Sequence, residues 1–359
     1  MSTIDKKIPS LDGLRAVAIS LVLIMHLAVG FPQWMFRYLQ HTGLSCFGRT
    51  GVTIFFVISG FLITTLLLNE KFSAVGEIHI RNFYVRRALR ILPVSMLYIG
   101  LLWFLNKPFD FGLETFFLWH ALTYTMNFAV ASMPWILAHL WSLGVEEQFY
   151  LIWPWVTKLQ LKTIVRTAFY IIGYAPMARI IVAKTPEWKF AVLTLSPFFQ
   201  YADALMIGCL LAISRRMSFS LWDSHLLKSR FLRFLSFFII WLVTYLSSKH
   251  GRGFGYFTVP FGTSIISILS AYIIASTMTF DKTMLYRFLN HPLMMYVGRL
   301  SYSLYIWQQF FLVPRNFAGM PMWWRVFPMN IVLTFGVSML SYHIWEKHFL
   351  KLKGRFKAA

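Results

Sequence analysis

Apolar and polar positions alternate along this chain in long blocks. Ten apolar runs begin near Leu14, Val52, Ile91, Leu140, Thr163, Phe198, Phe231, Phe257, Met294 and Val326, separated by short basic stretches. Runs of about 18 or more residues have membrane-spanning length, beyond what a buried helix of a soluble core needs. An eleventh run, 116–130, is shorter and is interrupted by His120, Thr123, Tyr124, Thr125 and Asn127. It reads as a re-entrant or interfacial element, which membrane depth tolerates only where protein or water covers its backbone.

Charge supports that reading. With ten spans, the N-terminus, 70–90, the region near 160, 215–233, 281–299 and 347–359 share one side. That side then holds 24 of the 34 Lys and Arg residues and the other side ten. Making 116–130 a full span would send Arg215, Arg216, Lys228, Arg230, Arg233 and the C-terminal end outward, against the positive-inside rule. The pattern predicts an all-α integral membrane protein of about ten transmembrane helices. One transmembrane domain covers 1–350, a short basic tail covers 351–359, and both termini are cytoplasmic.

Composition changes the picture only by exclusion. The chain is 58% hydrophobic and 13% charged, against about 25% charged residues in soluble domains. A net charge of +21 in a soluble protein would suggest nucleic acid. Here the basic residues sit between apolar spans, which suits topology and anionic membrane lipid, and no basic, aromatic-interleaved stripe marks a nucleic-acid interface. Lys6 and Lys7 precede the first apolar run, but no small-residue cleavage site follows, so the run reads as a retained span. Cys46 and Cys209 set neither a disulfide framework nor a zinc site, and no metal is expected. Walker A, dinucleotide, zinc-protease and C-x-x-C motifs are absent.

Four segments carry candidate chemistry. In the first, Asp12 and Arg15 open the first span and His26 follows eleven residues after Arg15. Eleven helical steps return to within roughly 20° of the starting direction and advance roughly 16 Å. A guanidinium near the cytoplasmic mouth and an imidazole deep in the bilayer would then share one face. An ionisable group at that depth is a functional candidate, against the plainer alternative of a histidine satisfied by an interhelical hydrogen bond. In the second segment, Ser59 and Gly60 lie mid-span, where small residues admit a neighbouring helix; without a G-x-S-x-G elbow, packing is the reading for Ser59.

Arg86, Arg87 and Arg90 precede Pro93 at the cytoplasmic start of the third span. Arg87 and Arg90 face the same way at i and i+3, either as topogenic charge or as a phosphate clamp. In the fourth segment, Ser142 and Glu146 stand at i and i+4 on one face, with Glu147 turned about 100° away and Gln148 following. A carboxylate there either orients a histidine base or pairs with an arginine.

Together, LDGLRAVAISLVLIMH, GVTIFFVISGFLITTLL, FYVRRALRILP and HLWSLGVEEQFYLIWP resemble the acyltransferase 3 family of bacterial membrane acyltransferases. Weaker matches at DALMIGCLLA, GRLSYSLYIW and LSYHIWEK follow in the family's order. The resemblance implies a ten-helix domain in the bacterial cytoplasmic membrane. Such a domain moves an acyl group, usually acetyl, from acyl-CoA (acetyl-CoA) to a hydroxyl of a cell-envelope carbohydrate. It implies His26 as general base, Glu146 as the group that orients or charge-stabilises it, and Arg87 and Arg90, with Arg15 and Arg86, at the coenzyme phosphates. Asp12, Ser142, Glu147 and Gln148 fall in the same motifs as supporting residues. Family members also acylate small-molecule natural products, and a transporter or flippase of lipid-linked sugars is the non-enzyme alternative. Two departures stand out. Many relatives have histidine where this chain has Gln308, and others carry a C-terminal SGNH domain where this chain has the basic tail, so a relay to such a domain would need a separate protein.

Overall fold

The computed structural model describes residues 8–74, 76–129, 133–184, 196–219, 222, 224–249, 255–279, 283–314, 317 and 320–356. Every long element among them is a helix: α1 (Leu11–Gly30), α2 (Phe47–Lys71), α3 (Ile80–Phe109), the short α4 (Thr115–Leu122), α5 (Leu140–Lys158), α6 (Leu161–Lys184), α7 (Ser196–Arg216), α8 (Arg230–Ser247), α9 (Gly255–Thr279), α10 (Pro292–Phe311) and α11 (Met329–Leu340). A π-helical segment, Ser341–Glu346, continues α11 into a last helical turn, Lys347–Leu352.

Seven of these helices are long and apolar enough to cross a membrane: α1, α2, α3, α6, α7, α8 and α9. The expectation of about ten adds α5, α10 and the run from α11 to Leu352. These have spanning length but carry more polar side chains, such as Glu146, Glu147 and Gln148 on α5 and Gln308 and Gln309 on α10. The run near 116–130 is not a continuous helix. α4 has eight residues, about 12 Å at 1.5 Å per residue, too short to span, and the chain breaks at Tyr124 with φ 54°. Its polar groups are covered: Tyr124 bonds Ser95 at 2.6 Å, and Asn127 exchanges two bonds with Gln148 at 3.1 and 3.0 Å.

Close approach at glycine organises the bundle. α2 lies along α7, and a Cβ on Gly60 would stand 2.0 Å from the Leu205 carbonyl oxygen, one on Gly208 2.2 Å from that of Val57. The helix contact expected beside Ser59 and Gly60 is therefore present, and α7 is the partner. α1 meets α10 in the same manner, with Gly298 against the backbone of Asp12. On the other flank a buried ion pair, Arg179–Asp203 at 2.5 Å, ties α6 to α7, and Arg179 also donates to the Pro260 carbonyl of α9 at 2.6 Å. Unpaired, either charge would be costly at this depth. α1, α2, α3, α5 and α10 are left to enclose the candidate chemistry.

Candidate active site

α1 is unbroken from Leu11 to Gly30, so Arg15 and His26 hold the predicted separation along one helix. Their surroundings differ. Arg15 lines two adjoining cavities that share Arg15, Leu62, Arg87 and Arg90 in their walls. The wider one, about 610 Å³, also carries Asp12, Asn69, Arg215, Arg216 and Lys353. The narrower, about 90 Å³, runs inward past Glu146 and Ser59 to Ser142 and Tyr305, between apolar walls that include Phe55 and Phe56. Arg87 and Arg90 therefore stand together where wide cavity meets narrow, and the Arg87 guanidinium lies over the Phe83 and Tyr150 rings at 5.8 Å each.

The other candidates divide. Arg86, grouped with Arg87 and Arg90 in the sequence, is on neither cavity wall. One residue on a helix rotates the side chain by about 100°, and Arg86 pairs with Glu70 at 2.5 Å and donates to the Phe356 carbonyl at 2.9 Å. Asp12 pairs with Arg15 at 3.6 Å. Ser142 bonds the Tyr305 hydroxyl at 2.5 Å. Gln148 serves the loop at Asn127 rather than either cavity. Glu147 is part of neither wall, and its Oε1 is buried without a hydrogen bond among the described residues.

Glu146 does not reach His26. Its carboxylate accepts from Ser59 at 2.6 Å inside the narrow cavity, facing the arginines. Ser59, read from sequence as packing alone, thus also lines the passage. His26 is held instead by α10: Nδ1 lies 3.0 Å from Gln308 Oε1 and Nε2 3.0 Å from Gln309 Nε2. The Trp135 ring meets the imidazole edge-on at 5.6 Å.

One backbone group fixes the proton positions. The His139 N–H can only donate, so the Gln309 atom 2.9 Å from it is the carbonyl oxygen. The Gln309 amide nitrogen then donates to His26 Nε2, which carries the lone pair, while His26 Nδ1–H donates to Gln308. His139 shares the network: its Nδ1–H donates to the same Gln309 oxygen at 2.8 Å, and its carbonyl accepts from Tyr305 at 2.7 Å. A chain of bonds thus runs from Ser142 at the inner end of the narrow cavity through Tyr305, His139 and Gln309 to His26. His139 Nε2, Gln308 Nε2 and Trp307 Nε1 are buried with no hydrogen-bond partner among the described residues. His139 and Gln309 escaped the sequence reading because their partners, Gln309 and His26, lie 170 and 283 residues away on other helices. The available signal was an unexplained His directly before the Leu140 helix.

No group of His, Cys, Asp or Glu among the described residues is arranged to hold a metal.

Residues 8–343 match the profile of the acyltransferase domain of the acyltransferase 3 family. The chain is 29% identical over 387 residues to a Staphylococcus aureus (strain COL) protein named a putative O-acetyltransferase, covering 96% of this chain and 57% of that one. It is 28% identical to a Bacillus subtilis (strain 168) protein named putative peptidoglycan O-acetyltransferase YrhL, covering 95% and 54%. It is 26% identical to O-acetyltransferase OatA of Staphylococcus aureus (strain NCTC 8325 / PS 47), covering 98% and 58%. The chain thus spans somewhat over half the length of these relatives. No solved structure matches it. A family match across nearly the whole chain, on residues that the fold gathers around two adjoining cavities, identifies this chain as a member of the acyltransferase 3 family.

Proposed function

We propose that the chain is a multi-pass O-acyltransferase of the bacterial cytoplasmic membrane that moves an acetyl group from acetyl-CoA to a hydroxyl of a cell-envelope carbohydrate. The observation that carries this reading is the pair of adjoining cavities: arginines on the wall they share, a narrow cavity reaching Ser142 and Tyr305, and a hydrogen-bonded histidine network beyond them. Arg87 and Arg90, with Arg15, hold the donor phosphates, since paired guanidiniums match phosphate oxygens. The pantetheine arm enters the narrow passage, whose small volume suits a short acyl group. Peptidoglycan in the name of the Bacillus relative supports a carbohydrate acceptor.

In the transfer, the acceptor oxygen attacks the thioester carbonyl, the C–S bond breaks, and coenzyme A leaves as the thiol. His26 takes the acceptor proton at Nε2, once the hydroxyl replaces the Gln309 amide there, and returns a proton to the sulfur. Gln308, accepting from Nδ1, keeps the basic nitrogen aimed the same way throughout. The unpartnered nitrogens of Trp307, Gln308 and His139 supply further hydrogen-bonding capacity for an acceptor or for the tetrahedral oxyanion. Glu146 acts on the donor side, as a carboxylate that spaces and orients the arginines. The test is release of free thiol from acetyl-CoA by detergent-purified protein with a glycan acceptor. Thiol release that requires both the acceptor and His26 supports the reading; no release in the presence of cell-wall, lipid-linked and O-antigen glycans overturns it.

A further inference from the structure

The chain does not run away from the bundle after its last helix. Residues Lys353–Phe356 form a short 3₁₀ segment that folds back on α3, where Arg86, itself paired with Glu70, donates to the Phe356 carbonyl at 2.9 Å. This clasp puts Lys353 on the wall of the wide cavity, with Arg15, Arg87, Arg90, Arg215 and Arg216. Among the described residues, the one carboxylate on that wall is Asp12, already paired with Arg15. Six cations and one acid among the described residues of the wall favour an anion inside, and one phosphate does not balance them.

We propose that Lys353 is a donor-binding residue whose ammonium engages a phosphate of the nucleotide end of the acyl donor, completing the site begun by Arg87 and Arg90. The inference rests on the reading of those arginines as the donor-phosphate site and extends it to the C-terminal segment. Burial, followed by the charges of Arg87, Arg90, Arg86 and Arg15, pushes the Lys353 pKa down to about 7. In the empty site the lysine is therefore charged below about pH 7 and neutral above it. Binding above pH 7 must take up a proton, so donor affinity falls as pH rises, by at most about tenfold per unit for one proton. The charged groups around it are Asp12 and Arg15 on α1, Arg86, Arg87 and Arg90 on α3, and Arg215 and Arg216 on α7, with Lys347, His348 and Lys351 just before it in the chain and Arg355 just after. Of these, His348 is the imidazole nearest in sequence, so His348→Gln serves as the control.

The experiment measures binding of acetyl-CoA, its 3′-dephospho form and acetyl-pantetheine to the full-length purified protein between pH 6 and 9. Lys353→Met is expected to weaken acetyl-CoA binding about ten- to a hundredfold at pH 6.5 and to flatten the pH dependence. Acetyl-pantetheine binding should not change, and Lys353→Arg should keep full affinity up to pH 9. Retention of wild-type affinity and pH slope by Lys353→Met overturns the proposal, as does a slope that disappears in His348→Gln. If Arg87→Ala weakens acetyl-CoA binding and Lys353→Met does not, only the lysine assignment fails. If neither variant weakens it, the donor site itself is misassigned. Lys353→Arg, which preserves length and charge, separates loss of the clasped fold from loss of a phosphate contact.

Discussion

At the residue scale the site has two ends, and they are best tested separately. His26→Ala is expected to lower turnover about 100- to 10,000-fold with donor affinity and melting temperature in detergent nearly unchanged; near-wild-type turnover would remove it as the base. Gln309→Glu is sharper, because the carboxylate cannot donate to His26 Nε2 and puts a negative charge into a network of neutral groups. Turnover should fall at least tenfold while acetyl-CoA binding is preserved, whereas a purely packing role for Gln309 predicts little change for this nearly isosteric replacement. At the other end, Arg87→Ala should weaken acetyl-CoA by about 1.5–3 kcal/mol, or ten- to a hundredfold. It should leave acetyl-pantetheine unaffected, and equal losses with both donors would refute the clamp. Sequence spacing alone singled out Arg15, His26, Arg87, Arg90, Ser142 and Glu146 as candidates, because each pair lies within one helix and helical geometry relates them. It could not find that Glu146 faces Ser59 and the arginines, nor that His26 answers to Gln308 and Gln309. Those contacts join helices 87 and more than 280 residues apart, where periodicity carries no information.

At the element scale, apolar periodicity gave the helices and small residues gave one of their contacts. Gly60 was legible as a place of close approach, but α7 as its partner was not. Replacing Gly60 by Leu is expected to separate α2 from α7, since its first carbon already meets the Leu205 backbone at 2.0 Å. Loss of folded yield in detergent is the expected result, and a normal melting curve would contradict the packing. The Arg179–Asp203 pair was invisible to motif reading, although Asp203 heads one of the weaker matches. Asp203→Ala should destabilise by about 3–5 kcal/mol, as removal of one partner from a buried ion pair does, seen as a large drop in melting temperature. The double change Arg179→Met with Asp203→Leu should recover part of that loss, because neither charge is then left alone.

At the scale of the whole molecule, charge placement predicts the sidedness that the helix bundle alone leaves open. A cysteine introduced at Ser218 should resist impermeant thiol reagents in intact cells, and one at Ser248 should react. The reverse labelling would turn every loop after 130 over and require α4 to take part in a full crossing. Within the stretch read from sequence as a basic tail, Lys353–Phe356 is held on α3 through Phe356, a docking that a charged stretch gives no periodic sign of. A last consequence belongs to α1. If the wide cavity holds the donor, as proposed, an uninterrupted helix with Arg15 on its wall and His26 eleven residues on behaves as a molecular ruler roughly 16 Å long. It demands that a donor's anionic head and its reactive carbonyl be about that far apart. A thioester on a shorter arm would be gripped by its phosphates and held out of reach of the imidazole. It would be an inhibitor made from the same parts as the substrate.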